Sequence, residues 1–118
     1  MALTYSSMLD LNSDLIAFNL LNSVTGDNFS SNALDAHKPS LIMFLCNHCP
    51  YVIHYHAEII KMADDFKNDM NIVAISANDI VNYPQDRPEL MKDLWNDLDL
   101  SFPYLFDETQ EIAKKYKA

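Results

Sequence analysis

The sequence holds a single glycine, Gly26, among its 118 residues. Tight turns and helix ends normally draw on several, because glycine adopts left-handed backbone without steric cost. Asparagine, the next most tolerant residue, is expected to fill those positions here. Without a glycine-rich loop there is no cradle for a nucleotide phosphate, so no flavin, nicotinamide or other cofactor is expected. Basic residues are scarce as well: Lys+Arg number 8 against 17 Asp+Glu, a net charge of -9, which argues against nucleic acid or an anionic membrane as partner. No apolar run approaches the roughly 20 residues that span a bilayer, and Met1 to Asn12 lacks the basic and apolar regions of a secretory signal. A cytoplasmic location is the expectation. Cysteine is limited to Cys46 and Cys49, so no second pair exists to close a zinc site of the usual structural kind. In a reducing compartment a lone Cys-x-x-Cys reads as a cycling redox pair sooner than as a permanent staple.

What is present is globular: 49% hydrophobic and 21% charged residues, enough for one domain over residues 1–118 with an ordinary core. Its most informative stretch is Cys46-Asn47-His48-Cys49-Pro50. The preceding run Leu41 to Leu45 reads as a buried strand of a parallel sheet, and the residues after it as a helix. The cysteines thus fall at a strand-to-helix turn, where unpaired backbone N–H groups and the helix dipole favour a thiolate over a thiol. Cys46 is the candidate nucleophile and Cys49, about one turn further in, the candidate resolving thiol. Asn47 and Pro50 support the turn, and Pro50 is tolerated in a first helical turn because its missing N–H has no partner to lose there. An imidazolium at His48 would stabilise the Cys46 thiolate further and make the pair more oxidising. A metal site built from Cys46, Cys49, His48 and His56 is the competing reading. Haem attachment is not, since Pro50 stands where a histidine would follow the second cysteine.

In chain order, Leu15 to Leu21 reads as a strand entering a turn at Thr25-Gly26-Asp27-Asn28, with Phe29 on a short partner strand. Ser30 to Lys38 reads as a loop or one helical turn. From Tyr51 the period becomes helical: Val52, Tyr55, Ile59, Met62, Ala63, Phe66 and Met70 make the apolar stripe, with His54 on the solvated side. Ile72 to Ala77 is a second buried strand, which with the first makes a right-handed parallel unit. Asp86-Arg87-Pro88-Glu89 predicts a helix start with Asp86 as cap, and Leu90, Met91, Leu94, Trp95 and Leu98 form its buried face. Phe102 to Phe106 is a short strand, and Asp107 with Gln110 caps a last helix bearing Ile112, Ala113 and Tyr116. Asp97, Asp99, Asp107 and Glu108 lack the spacing of a calcium loop and read as a solvated acidic face.

The order of these elements around Cys46-Asn47-His48-Cys49-Pro50-Tyr51-Val52, with Ser76-Ala77-Asn78-Asp79, Tyr83-Pro84-Gln85-Asp86 and Phe102 to Gln110, resembles the thioredoxin-like redoxins. These form the superfamily of thiol-specific antioxidant and alkyl hydroperoxide reductase proteins. The resemblance implies an α/β thioredoxin-like fold with a central sheet flanked by helices, and thiol-disulfide chemistry in which Cys46 attacks and Cys49 resolves. A disulfide or peroxide substrate and a thiol reductant would be the partners. Two departures narrow this. Met43 stands where peroxiredoxins carry a threonine before the peroxidatic cysteine, which weakens the alternative of a peroxidase. Nothing matches the family's cis-proline loop and C-terminal hairpin, since Pro84, Pro88 and Pro103 belong to other segments. A chain so truncated would leave the strand Leu41 to Leu45 with an open edge, able to recruit a second copy as a homodimer. A non-catalytic interaction protein with the redoxin fold is the remaining alternative.

Overall fold

The computed structural model describes residues 14–45, 55–77, 80–82, 84 and 87–116. They form a five-stranded mixed sheet with three α-helices packed on its two faces. The strands are β1 (Asn19–Asn22), β2 (Asn28–Ser30), β3 (Ser40–Phe44), β4 (Asn71–Ser76) and β5 (Tyr104–Phe106); the helices are α1 (His56–Phe66), α2 (Pro88–Asp97) and α3 (Glu111–Lys115). Spatial order is β2-β1-β5-β4-β3.

The first two strands are the predicted hairpin, antiparallel, with Leu20 opposite Phe29. Gly26 lies in its turn at φ +81° and donates its N–H to the Asn22 carbonyl at 2.8 Å, so the single glycine sits where left-handed backbone is required. Pairing begins only at Asn19, later than the apolar run suggests. Phe18 instead donates its N–H to the Ser31 hydroxyl at 3.1 Å, and Ser31 opens the single 3-10 turn Ser31–Ala33.

β3, β4 and β5 are parallel, from Ser40 opposite Asn71 to Ser76 opposite Phe106. Successive crossovers run the same way across the sheet, and right-handedness places α1 and α2 on one face. Side chains alternate accordingly. Ala74 faces α2 in a cluster with Met91, Trp95, Tyr104 and Phe106. Val73 and Ile75 face α3 in a cluster with Phe18, Leu105 and Ile112. Trp95 stacks on Tyr104 with ring centroids 3.9 Å apart and donates its indole N–H to the Phe102 carbonyl at 2.9 Å. Of the stripes expected on α2 and α3, Met91, Trp95, Ile112 and Ala113 are buried, while Leu90, Leu94, Leu98 and Tyr116 are half-buried.

Several expectations are corrected. β3 is half-buried along its whole length, because among the described residues it pairs on one side only. α1 ends at Phe66 rather than Met70, and Phe66 and Tyr55 are exposed. Of its predicted stripe only Ala63 is fully buried; Tyr51 to His54 lie outside the described residues. α2 is preceded by extended Arg87 with no side-chain cap bond, Pro88 opening its first turn, while Asp86 lies outside the described residues. The left-handed positions outside Gly26 are filled by Asp99 (φ 54°) and Gln110 (φ 64°) among the described residues, not by asparagine.

Candidate functional site at the carboxyl ends of the parallel strands

In an open α/β sheet the carboxyl ends of parallel strands carry the chemistry, since loops leaving them meet over one edge of the sheet. Here β3, β4 and β5 end level with one another. Leu45 donates its N–H to the Ile75 carbonyl at 2.8 Å, and Asp107 donates its N–H to the Ser76 carbonyl at 2.8 Å. Leu45, the residue before Cys46, is thus fixed to the middle of the sheet. On the far side of residues 46–54, Tyr55 accepts the first α1 bond from the Ile59 N–H at 2.9 Å. Cys46, Asn47, His48, Cys49 and Pro50 lie between those two anchors and outside the described residues. Before them lies the end of β3, as expected; α1 is described from His56, and the helix start expected at Pro50 and Tyr51 lies outside the described residues.

Three residues on this rim were not singled out as site residues by the sequence. Asp107, expected both to cap the last helix and to lie on a solvated face, is 1% exposed. It turns inward because its Oδ2 accepts the Ala113 N–H at 2.9 Å, satisfying one orphan donor of the first turn of α3. Gln110, in left-handed conformation, donates its side-chain N–H to the Ala77 carbonyl at 2.8 Å and so ties the loop after β5 to the loop after β4. Ser76 is fully buried on the α1/α2 face, and its hydroxyl has no hydrogen-bond partner among the described residues. The signal for all three was position: a polar residue at or just after the end of a buried apolar run.

His56 is the one candidate ligand that the structure describes. It opens α1, and its Nε2 is buried without a partner among the described residues, beside a void of about 10 Å³ lined by Leu45, Ile59, Leu94, Trp95 and Leu100. That is room for about one water, against walls that are almost wholly apolar. Among the described residues no three His, Cys, Asp or Glu side chains gather as a metal site. Asp97, Asp99 and Glu108 are exposed, as expected of a solvated face. Met43 packs against the Ala74, Met91 and Trp95 cluster, so at the position where peroxiredoxins place a hydroxyl this chain has an apolar side chain serving the core. No described helix is long and apolar enough to cross a membrane.

The sequence model of the AhpC/TSA family matches residues 11–118. Comparison with curated proteins found no match. Among solved structures, an uncharacterized conserved protein from Geobacillus kaustophilus is 40% identical, with a TM-score of 0.90 over 96% of this chain and 60% of its own. A hypothetical protein from Sinorhizobium meliloti is 28% identical, TM-score 0.89, over 96% of this chain and 62% of its own. A thiol-disulfide oxidoreductase from Bacteroides fragilis shares the fold at 21% identity and TM-score 0.64, over 86% of this chain and 72% of its own. The chain therefore spans about three fifths of the length of the first two. The fold is thioredoxin-like, as the resemblance implied.

Proposed function

The chain belongs to the AhpC/TSA family, and from that premise we propose that it is a thiol-disulfide oxidoreductase working through Cys46 and Cys49. The observation that supports the reading is the anchoring of Leu45 to Ile75, which holds the chain at the carboxyl edge of the parallel strands one residue before Cys46 in the sequence. On this reading Cys46 lies at a helix N-terminus, where free N–H groups and the helix dipole favour a thiolate.

In the first step the Cys46 thiolate attacks one sulfur of a substrate disulfide. The Cys46–substrate sulfur bond forms as the substrate S–S bond breaks, and the released thiolate takes a proton from solvent. Cys49, as thiolate, then attacks the Cys46 sulfur, releasing the second substrate thiol and leaving a Cys46–Cys49 disulfide; two electrons have passed to the substrate. An external thiol reductant reverses the cycle. His48, as imidazolium, stabilises the Cys46 thiolate and so biases the pair toward its reduced form, making it a better oxidant of other dithiols. Peroxide reduction is the weaker use of the same thiol, given the methionine at position 43.

The test is the rate of Cys46 alkylation against pH in reduced, metal-free protein carrying Cys49→Ser. The expected midpoint lies well below the free-cysteine value of about 8.5, and His48→Ala should move it upward. A midpoint at or above 8.5 overturns the reading. Thiols of the unsubstituted protein that resist alkylation until chelator is added would instead support the metal module of Cys46, Cys49, His48 and His56.

A further inference from the structure

We draw no further inference here: the strongest candidate, the pair of buried polar atoms at the carboxyl rim without a hydrogen-bond partner among the described residues, His56 Nε2 and Ser76 Oγ, belongs to the site already described, and the groups it would serve there fall in residues 46–54, outside the described residues.

Discussion

Tyr116 joins the two ends of the described chain. Its hydroxyl donates to the Ile16 carbonyl at 2.8 Å and accepts the Ile16 N–H at 2.9 Å, while its ring lies 5.9 Å from that of Phe44. Burial raises its pKa above the ordinary 10.0, and the bond to the Ile16 backbone opposes part of that rise. The fold therefore favours the neutral phenol over the phenolate. The contribution to stability is whole below the unfolded value of about 10 and is lost as pH rises through the higher folded value. Tyr116→Phe is expected to cost about 1 kcal/mol at neutral pH, since it strips two half-buried backbone groups of their partner. The variant should also be less sensitive to alkali than the parent. Urea unfolding at neutral pH and again above pH 10 checks both. A difference between the two proteins that does not shrink in alkali would sink the assignment, because the phenol is the only group that differs.

At the scale of elements, the end of α2 shows how a chain poor in glycine stops its helices. Leu100 donates its N–H to the Trp95 carbonyl at 3.1 Å and Asp99 donates to Asn96 at 3.2 Å, the paired bonds of a Schellman motif with Asp99 at the left-handed position. That backbone strains any residue with a Cβ, and the carboxylate faces the negative end of the helix dipole. Asp99→Gly is expected to raise stability by about 1 kcal/mol, read as a higher urea midpoint with an unchanged slope; a lower midpoint would show that the Asp99 side chain holds the turn. The identity of this residue was not legible beforehand, because the motif is set by bonds across the turn and not by composition. Legible were the features that repeat: the strand and helix periods from Leu41 onward, the Trp95 and Ile112 stripes, and the hairpin around Gly26. Less so were the boundaries, where competing bonds decide, as when Ser31 claims the Phe18 N–H and delays β1. Asp107 was read both as a cap of the last helix and as part of a solvated acidic face; its bond to the Ala113 N–H bears out the first and its burial overturns the second. For the site, the sequence offered Cys46 and Cys49 as candidates, which lie outside the described residues, and the end of the strand before them, which the structure describes. Ser76 and Gln110 became visible only when three strand ends were brought level.

At the scale of the molecule, the sheet is one layer between two unequal coverings, and that inequality sets where it opens. Val73, Ala74, Ile75, Tyr104 and Leu105 have no exposed surface, being covered from both faces and paired on both edges. Burying each large apolar side chain among them is worth about 1.5–3 kcal/mol, so β4 and β5 cannot separate without dismantling both clusters. Among the described residues β3 and β2 are edge strands, half-buried or less, and each is held by one neighbour. Native-state hydrogen exchange should follow this order. The Ala74 amide, which donates to the Pro103 carbonyl at 3.0 Å, should exchange only through global unfolding, with a free energy equal to that from urea. Met43 should exchange through a smaller opening in which β3 leaves the sheet, and β2 faster still. Were β3 to exchange as slowly as β4 in dilute solution, the sheet would be covered more evenly than its described residues are, and the hierarchy argued from burial would fail.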